Sequence, residues 1–202
     1  MLDYMQGKKL LDKYGIKSVE SKYVHSYQEA VGFAGRDSIA IKAISGRAIH
    51  KSKAGLVVLD VKGADEIQVA YRKLAERAVK FAPYKLLAQK MSKNGVEVII
   101  GGNTDKQFGK MLLVGLGGIY VETLKDTALR MCPIEKYDAQ EMLAQLKTNS
   151  IVTHNGAATD MLVDLLLRIN KMFVSSSIQE FDFNPVIVRE NDYEIVDIRI
   201  LK

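Results

Sequence analysis

A single cysteine, Cys132, stands in 202 residues, so no internal disulfide can form, and neither a CxxC pair nor a Cys/His spacing suited to zinc occurs. Such sparse cysteine gives no sign of an oxidising compartment, and the chain is expected to be cytoplasmic. Long hydrophobic runs are missing too. No stretch approaches ~18 uninterrupted apolar residues, and the opening MLDYMQGKKLLDKYG turns charged before it reaches signal-peptide length. Neither export nor membrane insertion is expected. Internal repeats, low-complexity tracts and flexible linkers are also lacking. What remains is 48% hydrophobic, enough for one substantial core or for two small lobes.

The net charge of +5 is unevenly spread. Residues 1–93 hold 18 of the 29 Lys and Arg but 9 of the 24 Asp and Glu, which leaves that half at +9 and the remainder at −4. This division suits a ligand that is an anion carrying a metal cation, since phosphates seek the first half and magnesium the second. For most of these 18 basic residues the plainer reading, solvated helix faces, is the better one. Nucleic acid would account for the basic half alone and is not expected as a partner.

The elements follow from pattern. Gln6 to Tyr14 reads as a short helix stopped by Gly15, and Ser26 with Glu29 forms a capping-box signal for a second. Val19–Val24, Ser38–Ala43 and Gly55–Val61 are strand-like. The span Ala64–Ala82, with Ile67, Ala70, Tyr71, Leu74 and Ala78 at helical spacing, predicts an amphipathic helix that ends before Pro83. Then come five short strands broken by glycine-rich turns: Lys85–Met91, Val96–Gly101, Lys110–Leu116, Ile119–Glu122 and Ala128–Met131. Two helices, Tyr137–Leu146 and Ala157–Phe173, precede a final hairpin of Phe181–Val188 with Tyr193–Leu201. The expected fold is α+β, with two α/β lobes, 1–83 and 84–202, and a mostly antiparallel sheet central to the second.

Several side chains stand where chemistry is possible. With the hairpin loop centred between Glu190 and Asn191, residues whose numbers sum to 381 pair, and Asn184 falls across from Asp197. One face then carries Phe181, Phe183, Val196, Ile198 and Ile200, and the other Asp182, Asn184, Asp197 and Arg199. An amide oxygen beside a carboxylate suits magnesium, with phosphate and water completing its shell; the same residues also fit an ordinary strand pair bridged by Asp182 and Arg199. Lys42, in the strand SIAIKAI, would be held rigidly toward a phosphate, or would guard an edge strand against aggregation. In the polar loop GRAIHKSKAG, the cations Arg47, Lys51 and Lys53 around His50 disfavour the imidazolium and keep the ring nucleophilic; a plain surface histidine has the same neighbours. Gly115, Gly117 and Gly118 would let the backbone approach a ligand, although neither a Walker A nor a dinucleotide fingerprint is present. The stretch Gln89–Glu97 could offer backbone amides to an adenine edge, or form a simple hairpin turn.

Taken in order, IHKSKAG, VEVIIGG with DKQFGKMLLVGLGGIYVETLKD, and DFNPVIV with VDIRI resemble the ATP-grasp domain of NDP-forming acyl-CoA synthetases, the β subunit of ADP-forming acetyl-CoA synthetase above all. The resemblance covers nearly the whole chain. It implies an ATP-grasp fold, ATP or ADP with Mg2+ as cofactors, and a partner CoA-binding α subunit or fused domain. It further implies that Lys42 contacts the nucleotide phosphates, that Gln89, Met91, Ser92 and Glu97 line the adenine and ribose pocket, that Asn184 and Asp197 bind magnesium, and that His50 carries phosphate. The implied enzyme is an acid–thiol ligase interconverting acyl-CoA, phosphate and ADP with acid, CoA and ATP.

There are departures from the family pattern. Lys53 and then Gly55–Leu56 stand where an acid and a Gly-Gly pair are usual, Asp182 replaces a glutamate, Val186 stands for leucine, and Thr148–Thr159 lacks an arginine-glycine signature. The alternative function is a non-catalytic nucleotide-binding regulatory domain of a protein acyltransferase.

Overall fold

The computed structural model describes residues 1–47, 54–92, 94–118 and 126–202. His50 and the expected strand Ile119–Glu122 lie outside these residues. The chain divides into two compact units, residues 19–92 and residues 1–18 with 93–202.

In the first unit, β1 (Ser21–Val24), α2 (Tyr27–Ala34), β2 (Ile39–Ile44), β3 (Val57–Val61), α3 (Gly63–Ala78) and β4 (Lys85–Lys90) follow in sequence. The four strands form an antiparallel sheet in the order β1-β4-β2-β3. Both helices pack on one face, because alternation sends Ile39, Ile41 and Ala43 of β2 and Leu86 and Ala88 of β4 to the side where Ile67, Ala70, Leu74 and Ala78 line α3. The expected Ser26–Glu29 cap forms: Glu29 N–H donates to Ser26 Oγ at 3.2 Å, and His25 N–H donates to Glu29 Oε2 at 3.1 Å. The amphipathic helix ends at Ala78 and tightens into a 3-10 turn, Val79–Phe81, before Pro83.

The second unit begins with α1 (Tyr4–Lys13), started by an Asp3–Gln6 capping box. It continues with β5 (Val96–Asp105), β6 (Gly109–Leu116), β7 (Thr127–Met131), α4 (Lys136–Ala144), the short α5 (Asn149–Val152), α6 (Thr159–Val174), β8 (Glu180–Val188), β9 (Tyr193–Ile195) and β10 (Ile198–Leu201). These strands form a six-stranded antiparallel sheet, β10-β8-β5-β6-β7, with β9 also on β8. Its core is aromatic at the centre, Phe181 lying 5.0 Å from Phe173 edge-on and 4.8 Å from Phe183. The stripe of α6 is Leu162, Leu165, Leu166, Ile169 and Phe173, with Met161 only half-buried. No helix among the described residues is long and apolar enough to cross a membrane.

The observed division differs from a cut at residue 83 at both ends. β4 belongs to the first sheet, where it sits between β1 and β2. α1 belongs with the second unit, since it packs on β10 and Leu2 N–H donates to Ile200 O at 2.8 Å.

Candidate functional site

In the unit formed by residues 19–92, the sheet face turned away from the helices is polar at its centre. Lys42 is paired with Leu87, and Gln89 with Ala40 and Ser21, so Lys42 and Gln89 are diagonal neighbours on that face. Both are buried, at 6% and 1% exposure. The reading of Lys42 as an edge guard is overturned by topology, because β2 lies inside the sheet between β4 and β3. Burying an ammonium costs free energy unless a charge or dipole compensates it. Gln89 is oriented by a short relay, its Nε2 donating to Ser21 Oγ at 3.0 Å and the Ser21 hydroxyl donating to Val19 O at 3.0 Å. Ser21 carries no signal in the sequence, because only strand pairing brings it beside Gln89. Met91 and Ser92 continue from β4, half-buried, with Met91 N–H reaching Ser38 O at 3.4 Å.

In the other unit, Glu97, Gly117 and Gly118 come together although about twenty residues separate them. Gly117 N–H donates to Glu97 O at 2.7 Å, and a Cβ on Gly117 would stand 2.9 Å from the Glu97 carbonyl carbon. Gly118 has a φ of +71° and would place a Cβ 2.7 Å from Glu97 Oε2. The glycines therefore let β6 run out tightly against β5 and fix the flank of an exposed carboxylate.

The C-terminal strands carry the other pair. Phe183 with Ile198, Asp182 with Arg199, Val186 with Ile195 and Val188 with Tyr193 all keep the register expected from the loop, and Val196 N–H donates to Pro185 O at 3.0 Å. Asn184 and Asp197 thus stand opposite each other where the ladder is interrupted. The interruption has a local cause: Pro185 has no N–H to return to Val196. Toward β5 the pairing passes from Val98–Val186 to Ile100–Phe183, so Asn184 and Pro185 face the single Ile99 in a β-bulge.

Alternation slips by one residue there. Phe181 and Phe183 are buried before the break and Val186 and Val188 after it; Ile198 and Ile200 are buried in β10 but Ile195 in β9. Val196, expected on the buried face, is consequently only half-buried. Asn184 is exposed and Asp197 half-buried, with Ile198 N–H donating to Asp197 Oδ1 at 3.2 Å. Among the described residues no group of three or more His, Cys, Asp and Glu side chains could hold a metal. The Asn184–Asp197 pair fits magnesium in a different way, as two hard oxygen donors that leave most of an octahedral shell to phosphate and water.

Asp126 is a buried carboxylate that the sequence did not single out. It accepts from the N–H groups of Lys147 and Thr148 at 2.9 and 2.8 Å, and from the Thr148 hydroxyl. Burial pushes its carboxyl up, but the Thr148 hydroxyl and the two backbone N–H groups outweigh it and hold the group below its ordinary value. It pins the segment that lacks the family's arginine-glycine signature. Beyond it the chain turns through left-handed His154, Asn155 and Gly156.

Two antiparallel sheets, one covered by two helices and the other bearing an oxygen-donor pair beside a bulge, form a mixed α/β fold of the ATP-grasp class. The sequence matches the ATP-grasp domain family over residues 1–201, and the chain belongs to that family. It is 34% identical over 215 residues to the β subunit of acetate–CoA ligase [ADP-forming] II from Pyrococcus furiosus, covering 100% of this chain and 91% of that one. It is 35% identical over 201 residues to acetate–CoA ligase [ADP-forming] II of Archaeoglobus fulgidus, where it covers 97% of this chain but 29% of the longer one. Among solved structures it superposes, with a TM-score of 0.84, 30% identity and coverage of 98% and 92%, on the dinucleotide-forming acetyl-coenzyme A synthetase 1 of Ca. Korarchaeum cryptofilum. That structure is a complex with coenzyme A and Mg-AMPPCP, its phosphohistidine segment pointing towards the nucleotide binding site.

Proposed function

We propose that this chain is the nucleotide-binding ATP-grasp part of a cytoplasmic ADP-forming acyl-CoA synthetase, acting with a CoA-binding chain or fused domain. The observation that carries the reading is the Asn184–Asp197 pair, set across from each other at a shared break in two strands. Full-length similarity to a separate ligase subunit supports it, as does the match to under a third of a longer ligase.

Each residue has a stated task. Lys42, rigid on β2, neutralises nucleotide phosphate; Gln89, Met91, Ser92 and Glu97 receive the adenine and ribose, with Gly117 and Gly118 holding Glu97 in place. Asn184 and Asp197 hold magnesium, which when bound offsets charge on the phosphate oxygens. A neutral ring nitrogen of His50 attacks the γ-phosphorus of ATP. A P–N bond forms as the bond to the β,γ-bridging oxygen breaks, and ADP leaves with the electron pair. In the ATP-forming direction ADP takes the phosphoryl group back from His50, and the P–N bond breaks as the new P–O bond forms. Transfer relies on positioning and charge neutralisation.

Incubation with Mg-[γ-32P]ATP tests the relay. The expected result is an acid-labile, base-stable label that His50→Ala abolishes while nucleotide binding persists. Absence of label on His50 in the intact protein removes the relay from the proposal.

A further inference from the structure

Arg199 takes no part in the nucleotide-binding roles proposed for the other side chains. β10 pairs it directly with Asp182, and α1 covers the opposite face of the same strand, where a Cβ on Gly7 would come within 2.9 Å of Ile198 Cγ2. The guanidinium is therefore on the helix-free face, exposed, two residues beyond Asp197. None of the ion pairs formed among the described residues involves it. Residues two apart on a strand are about 6.6 Å apart along it, a distance that an arginine side chain and a metal-bound phosphate span together.

We infer that Arg199 grips the terminal phosphoryl group of a nucleoside triphosphate whose metal is held by Asn184 and Asp197. The inference rests on the proposed metal site and extends it. Magnesium and Lys42 together still leave part of a triphosphate's negative charge uncompensated, and the terminal phosphoryl oxygens gain from a further positive group. A guanidinium supplies one with a planar fork that matches two phosphate oxygens; an ammonium does not. Because a diphosphate lacks the γ-phosphoryl, Arg199 distinguishes ATP from ADP at the step where they interconvert. The competing role is a cross-strand charge pair with Asp182, which would stabilise the hairpin without reading the nucleotide.

Titration calorimetry on the full chain separates the two roles. The probes are Mg-AMPPCP and Mg-ADP, applied to wild type, Arg199→Gln, Arg199→Lys and Asp197→Ala. The expected result is a loss of roughly tenfold or more in AMPPCP affinity for Arg199→Gln, the size that follows from removing a charge-assisted hydrogen bond, with ADP affinity within about twofold of wild type. Arg199→Lys should fall between. Equal losses for both nucleotides, or none, in a protein whose binding Asp197→Ala still disrupts, overturn the role of Arg199 alone. Unchanged magnesium-dependent binding in Asp197→Ala overturns the metal site, and this inference with it. Should Arg199→Gln fail to fold, Arg199→Lys decides, and an unchanged AMPPCP-to-ADP ratio in it counts against the inference.

Discussion

Asp126 ties a loop to the sheet through one carboxylate, and its environment fixes how it responds to acid. Its folded pKa lies below that of the unfolded chain, so its contribution is fully present above about pH 4 and is lost as the pH falls through the folded value. Asp126→Asn should therefore cost about 1–3 kcal/mol in urea unfolding at pH 7, the price of disturbing buried hydrogen bonds, and the gap from wild type should shrink below about pH 4. A gap that widened on acidification would contradict the assignment. Gly118 gives a second test at this scale. With φ at +71° and Glu97 Oε2 2.7 Å from any added Cβ, Gly118→Ala should destabilise the protein by about 1 kcal/mol or more and weaken nucleotide binding as Glu97 is displaced. Thermal melts and nucleotide titration would show both effects together.

The C-terminal hairpin is the element where sequence and structure meet most closely. Its register was legible because a one-residue slip would have thrown Phe181, Phe183, Ile198 and Ile200 into water. The phase change at Asn184–Pro185 and Val196–Asp197 was not legible from alternation, which assumes one period along the strand, although Pro185 marks the place where a ladder bond must fail. Similar limits apply elsewhere. The helix of residues 63–78 was plain from its apolar stripe, whereas nothing in α1 states which sheet it packs on. Lys42 could be placed on a strand by alternation, but its inner position came only with the order β1-β4-β2-β3. Gly102 tests the packing of this sheet. A Cβ there would meet the Phe181 ring and stand 2.9 Å from Met111 O, so Gly102→Val should destabilise by about 1–3 kcal/mol in chemical denaturation. An unaltered midpoint would show that β5 and β8 are less tightly packed than described.

At the scale of the whole molecule, the chain folds as two compact units, residues 19–92 and residues 1–18 with 93–202. The chain covers nearly all of a separate ligase subunit and under a third of a longer ligase, so acyl-CoA turnover is expected only when a CoA-binding chain or domain is supplied. Alone, the chain should bind Mg-nucleotide and take up phosphate without forming acyl-CoA. The most direct measurement is the magnesium dependence of nucleotide affinity in wild type, Asn184→Ala and Asp197→Ala, each checked by thermal melt. Loss of the magnesium-dependent part of binding, by roughly tenfold or more, in variants that melt as wild type is the expected result. Wild-type magnesium dependence in a folded Asp197→Ala protein would contradict it.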